Sequence, residues 1–258
     1  MVYKNRQNQA RSRKANSMRK MMFSRFLLVF FFIAMPLLTF ASEGPVLDHA
    51  PIDPNNKESL QRGAKYFVNY CLNCHSAAYM RYNRLTDIGL TESQIKDNLM
   101  FASEKVGDLM TVTMPKKDAK AWFGAAPPDL SVEARARGAD WLYSYLRGFY
   151  RDDSRPTGWN NTVYDKVAMP HILWQLQGQQ VLKVDEKTDS HTLVLDKPGS
   201  LSPAEYDQMV ADLVNYLVFM AEPFKERDKT LGLFVLLFLS GMFVLTYYLK
   251  KEFWKDIH

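Results

Sequence analysis

Two long apolar runs stand near the ends of the chain, and between them apolar positions recur mostly at helical spacing. The first run, Phe26 to Phe40, is broken only by Pro36 and Thr39. The second, Leu231 to Leu249, has 19 residues without a formal charge. At 1.5 Å per residue it makes about 28 Å of helix, close to the roughly 30 Å hydrocarbon core of a bilayer. Tyr247 and Tyr248 sit at one end of it, where an aromatic belt belongs. Between the runs, Leu60, Ala64, Phe67 and Val68 predict a helix over 59–70 with Ser59 as its cap. Thr91 opens a shorter helix to Phe101, and an aromatic-rich helix is expected over Asp140–Tyr150. The Ser202-Pro203-Ala204-Glu205 sequence starts a helix that runs to about Ala221, with a Ser cap, Pro in the first turn and an early acid. Val181 to Leu195 alternates about a polar centre and predicts a small hairpin. Val106–Ser131, which holds Pro115, Pro127 and Pro128, reads as mostly loop, Arg151–Pro170 again as loop, and Ser42–Glu58 as an extended arm. The expected fold is mainly α, with long loops, a small inserted hairpin and one C-terminal transmembrane helix. Loops of such length usually wrap something.

Charge changes the picture at the N-terminus. The first 25 residues hold eight Lys or Arg and no acid, the apolar run follows, and Ala41 supplies a small residue at its end. That order describes a secretory leader over 1–41. The whole chain has 33 basic and 28 acidic residues, net +5. Without the leader, 25 basic residues face 28 acidic ones, net −3. The basic balance therefore belongs to the export signal, and a nucleic-acid partner loses its main support. Export of the start places an exterior domain at 42–230, a membrane anchor at 231–249 and a cytoplasmic tail at 250–258.

The candidate chemistry is concentrated in one pentapeptide. Cys71 and Cys74 are the two cysteines of the chain, and Cys71-Leu72-Asn73-Cys74-His75 fits C-x-x-C-H, the attachment signature of c-type haem. Two thiols three residues apart can add to the two vinyl groups of one haem, and the next residue then lies under the iron as its ligand. A disulfide so short would constrain the unfolded chain very little. A thioredoxin-like site wants a βαβ setting, and structural zinc wants two further ligands; neither is visible. One such motif implies one covalent haem c and argues against a two-haem peroxidase.

A second iron ligand decides between electron transfer and an open, ligand-binding site. Outside the apolar runs the methionines are Met80, Met100, Met110, Met114, Met169, Met209 and Met220. Met80 is too near the attachment site, and Met209 and Met220 lie on a helical apolar stripe. Met114-Pro115 and Met169-Pro170 each place a methionine before a loop-stiffening proline, and spacing alone does not choose between them. His49, His171 and His191 read as surface or loop residues.

Three segments in order resemble the cytochrome c1 family, the haem subunits of bacterial cytochrome bc complexes: CLNCHSAAYMRYNRL, APPDLSVEARARGADWLYSYLRGFY and VAMPHILWQLQGQQ, followed by the terminal YYLKKEFWKDIH. The resemblance implies a cytochrome c-like haem domain. It places the axial methionine on Met169, the haem-propionate arginine on Arg137, and Pro127 and Pro128 on the proximal side, where a backbone carbonyl orients His75. It further implies electrons arriving from a Rieske iron–sulfur protein and leaving to cytochrome c, with cytochrome b as neighbour in a bacterial inner membrane and the haem domain on the periplasmic side. A free-standing anchored cytochrome shuttle is the competing reading. A haem peroxidase or ligand sensor would require an open iron site.

Overall fold

The computed structural model describes residues 44–185 and 190–255, so the leader assigned to 1–41 lies outside the described residues. Two helices form the spine of the core. α1 spans Lys57–Tyr66 and continues into a π-turn, Phe67–Cys71. Its cap is Asn56, whose side chain accepts from the Ser59 amide at 3.0 Å. Ser59 is therefore inside the helix, and its hydroxyl accepts instead from buried Asn215.

α2, Glu92–Leu99, follows a 3₁₀ stretch at Tyr82–Ile88 and starts at the expected Thr91 cap, which the structure shows closing a capping box with Gln94. The segment expected to be loop contains α3, Lys116–Phe123, entered from Pro115 and closed by Gly124 at φ 79°. α4, Glu133–Arg137, and α5, Ala139–Arg147, are separated by Gly138 at φ 89°, a backbone that favours glycine. α6 is a single turn, Trp174–Gln177. α7, Pro203–Ala221, begins with the Ser202–Glu205 capping box, and α8 runs from Lys225 to Phe253.

The described strands form antiparallel pairs. β1, Ala77–Arg81, pairs with β2, Leu109–Met110. β3, Phe149–Arg151, pairs with β4, Trp159–Asn161, so the aromatic helix stops at Arg147 and the following residues are extended. β5, Gly178–Asp185, and β6, Ser190–Pro198, form the expected hairpin, with Leu182 opposite Leu193 and a register shift at Gln179/Gln180. Gln180 ties this hairpin back by donating to the carbonyls of Arg147 and Phe149 at 2.9 and 3.0 Å.

Leu60, Ala64, Phe67 and Val68 of the α1 region share one buried cluster with Val210, Leu213, Val214, Tyr216 and Leu217 of α7. Each fully buried Leu or Val there contributes about 1.5–3 kcal/mol relative to exposure. Phe67 and Tyr216 meet ring to ring at 5.5 Å. Gly63 permits the close approach of α1 and α7: a Cβ there would overlap the Asp212 carbonyl oxygen and lie 2.7 Å from Tyr216 Cβ. Arg62 closes the same interface with two hydrogen bonds to buried Asp212, at 2.6 and 3.0 Å. Cys71 thus follows directly on a helix locked into the core.

α8 differs from the other helices. The most apolar part of its Asp228–Phe253 stretch has a mean hydropathy of 2.1, and none of that part is buried. At 1.5 Å per residue its 26 residues give about 39 Å, enough to cross a bilayer. Ser240 and Thr246 donate to the carbonyls of Leu236 and Met242 at 2.8 and 2.9 Å, so their hydroxyls are satisfied within the helix.

Candidate haem site

The C-x-x-C-H pentapeptide leaves the end of the π-turn in a tight bend. The amides of Cys74 and His75 both donate to the Cys71 carbonyl, at 3.0 and 2.8 Å. This brings two free thiols and an imidazole into one turn. Burial pushes the Cys71 thiol up to about 12, with Cys74 adding to the rise, so it carries its proton.

His75 is oriented from outside its own turn. Its Nδ1 lies 2.8 Å from the Pro128 carbonyl oxygen. A carbonyl can only accept, so Nδ1 holds the proton and Nε2 is left with its lone pair for a metal. The segment carrying Pro128 is strapped alongside by three further bonds: Leu130 N to Ser76 O at 2.8 Å, Ala78 N to Asp129 Oδ2 at 2.9 Å and Tyr79 N to Ser131 Oγ at 3.0 Å. Burial lowers the His75 pKa, against the opposing effects of Pro128, Glu133 and Asp129, which keeps the ring neutral as a ligand must be. Burial also pushes Asp129 up, but bonds from Ser131 and Ala78 outweigh it and leave the carboxyl below its ordinary value.

Met169 lies in a second, smaller cluster with Phe149, Trp159 and Val167. The Tyr145 hydroxyl lies 3.4 Å from its sulfur. Burial raises the Tyr145 pKa well above the ordinary phenol value, so the hydroxyl keeps its proton. Met114, the competing methionine, is half-buried outside both clusters. Met80, Met110, Met209 and Met220 are core residues, as buried methionines usually are.

Arg137 is joined to the Met169 loop by side chains one helical turn apart. Glu133 accepts from Arg137 Nε at 3.1 Å, and the guanidinium lies 4.4 Å from the Trp141 ring centre. Trp141 stacks on Tyr145 at 4.8 Å, and Tyr145 meets Phe149 edge-on at 5.2 Å. Positions 133, 137, 141, 145 and 149 form this ladder. Near one end of it Glu133 acts electrostatically on His75, and near the other Tyr145 lies against Met169, so each candidate iron ligand has one member of the ladder nearby. No hydrogen bond among the described residues joins the two directly.

His171 departs from the surface reading. It is 2% exposed, stacked on Phe149 at 4.8 Å and edge-on to Trp159 at 5.0 Å. Among the described residues its Nε2 has no hydrogen-bond partner. Burial pushes its pKa down to about 4, with Gln177 acting the other way. His49 is a surface residue as expected, 3.3 Å from Asp140.

Among the described residues no group of three His, Cys, Asp or Glu could hold a metal ion. One neutral imidazole, one thioether and two thiols instead suit an iron porphyrin, which places the protein in the class of c-type cytochromes.

Comparison with known proteins makes the class specific. The Cytochrome C1 family model matches residues 48–257. A protein of Nitrosomonas europaea named ammonia monooxygenase gamma subunit is 56% identical over 91% of this chain and 98% of its own length. Cytochrome c1 of Allochromatium vinosum is 46% identical over 93% of this chain and 100% of its own. The mitochondrial cytochrome c1 haem protein of Saccharomyces cerevisiae is 26% identical over 81% of this chain and 70% of its own. The chain belongs to the cytochrome c1 family. Proteins of this family are electron-transfer subunits of the cytochrome bc1 complex and carry one covalently bound haem c.

Proposed function

We propose that this chain takes single electrons from a Rieske iron–sulfur protein and hands them to a cytochrome c, seated beside cytochrome b in a quinol–cytochrome c reductase. The observation that carries the reading is the C-x-x-C-H turn whose histidine has its outer ring nitrogen engaged by Pro128. In this reading Cys71 and Cys74 would form the thioethers to haem, and His75 and Met169 would hold its iron. The haem supplies a one-electron carrier when bound. Everything else is positioning by the chain. The Pro128 carbonyl sets the imidazole plane and strengthens its donor atom. Arg137 is engaged by Glu133 through Nε, and its two terminal amino groups suit a propionate. The aromatic ladder ends on Tyr145 and Phe149, which pack with Met169. No residue needs to move a proton for an electron to pass.

The residues from 231 to 249 anchor the protein in a bacterial inner membrane. Removal of 1–41 then leaves the 42–230 domain on the periplasmic side and 250–258 in the cytoplasm. The exposed apolar surface of α8 supports the anchor, since such a surface is otherwise costly in water.

Two experiments test the reading. Met169→Leu should abolish the methionine-to-iron absorption band and lower the reduction potential while haem stays attached. An unaltered band would move the ligand to Met114. Solubilised membranes should yield the chain together with cytochrome b and a Rieske protein. Recovery with ammonia monooxygenase subunits instead, as the name of the Nitrosomonas europaea relative would imply, or with no partner, would contradict the assembly.

A further inference from the structure

We propose that Tyr145 is a positioning residue that tunes the iron through Met169: its phenol donates to the methionine sulfur and weakens that sulfur as an electron donor. The inference rests on the reading of Met169 as the axial ligand. Its geometry is independent of that reading. The Tyr145 oxygen is 3.4 Å from Met169 Sδ, within hydrogen-bonding distance for sulfur. A thioether sulfur has two lone pairs, so one can accept this bond while the other remains for a metal.

The tyrosine ring has little freedom to turn away. Trp141 stacks on it at 4.8 Å with planes 11° apart, and Phe149 closes its edge at 5.2 Å. Its own backbone is pinned as well, because Asn161 Nδ2 donates to the Tyr145 carbonyl at 2.8 Å. Asn161 is buried, and through Oδ1 it accepts from Val163 N at 2.8 Å and Tyr164 N at 3.2 Å. One side chain therefore fixes both the tyrosine and the loop that leads to Met169.

The electronic consequence has a definite sign. A hydrogen bond withdraws density from the sulfur. Ferric iron needs that density more than ferrous iron does, so the bond favours the reduced state and raises the potential. Tyr145→Phe deletes the hydroxyl and keeps the ring. A purely structural role for the ring would leave the potential unmoved.

The test is a redox titration of the full-length, haem-loaded protein in solubilised membranes. It compares wild type, Tyr145→Phe and Tyr143→Phe, the last being a tyrosine on the same helix that lies against Arg147. Tyr145→Phe should lower the potential while the methionine-to-iron band persists. The expected shift is about fivefold in the oxidised-to-reduced ratio, the typical net worth of one hydrogen bond. That is about 40 mV at 59 mV per tenfold for one electron. Tyr143→Phe should leave the potential unchanged. An unchanged or higher potential in Tyr145→Phe overturns the proposal. Should that variant not accumulate, difluorotyrosine at position 145, a stronger donor, must raise the potential, and a fall or no change overturns it equally. Failure of the ligand reading looks different: the band would survive in Met169→Leu.

Discussion

Replacing Gly63 by alanine tests whether the haem-bearing turn is held by helix contact. Two effects oppose each other. In a helix interior, alanine is better than glycine by about 1 kcal/mol. Against this, the new methyl carbon would overlap the Asp212 carbonyl oxygen and approach Tyr216 Cβ to 2.7 Å. Neither atom is the end of a flexible side chain, so α1 and α7 must separate. Overpacking a core contact costs about 1–3 kcal/mol, and a backbone obstacle belongs at the upper end. The net expectation is a loss of about 2 kcal/mol. For a chain of this size that is about 4–8 °C in Tm. Far-ultraviolet circular dichroism of the haem-loaded protein measures it, with Soret absorbance followed in parallel. Because Cys71 lies just beyond α1, the Soret change should track the helical one. A Tm equal to or above wild type would show that propensity wins, and the close packing of α1 on α7 would be wrong.

Two further predictions concern acid. Asp129 has a depressed folded pKa, so its contribution is complete above the ordinary carboxylate value and is lost as pH falls through the folded one. Asp129→Ala should lower stability at pH 7 by about 1–2 kcal/mol through the bonds lost by Ala78 and Ser131. It should also flatten acid denaturation below pH about 4, and an unchanged acid limb would remove Asp129 from the Pro128 strap. His171 also has a lowered folded pKa, about 4 against an ordinary 6.5. Its unfolded form takes up the proton first, so stability present above 6.5 declines toward pH 4, by up to about 3 kcal/mol. Urea unfolding at several pH values should show this slope in wild type and lose it in His171→Phe; equal slopes would mean that the imidazole titrates in solvent.

The chain is most legible where the physics is local. The Ser202–Glu205 and Thr91–Gln94 boxes close within four residues, and both helices start where those residues place them. Ser59 misled because an equally good cap, Asn56, stands three residues earlier. Helix α3 was hidden among prolines: Pro115 breaks a helix in its interior but serves well just before its first turn. The β3–β4 pair was missed because three-residue strands have too little alternation to register. The C-x-x-C-H turn was legible as chemistry, whereas the choice of Pro128 as acceptor depends on a strap 53 positions away in sequence. His171 looked like a loop residue because the rings that bury it, Phe149 and Trp159, come from a neighbouring ladder of strands. The aromatic crowding of α5 was visible, but its register against Met169 was not, since that register exists only once the loop has folded back.

The most direct check is the intact mass of the mature chain from cells able to make c-type cytochromes, read beside a pyridine haemochrome spectrum. A polypeptide heavier by one haem, with Cys71 and Cys74 both blocked to alkylation, is the predicted result. A chain of bare polypeptide mass, alkylated at both positions, would contradict the central claim.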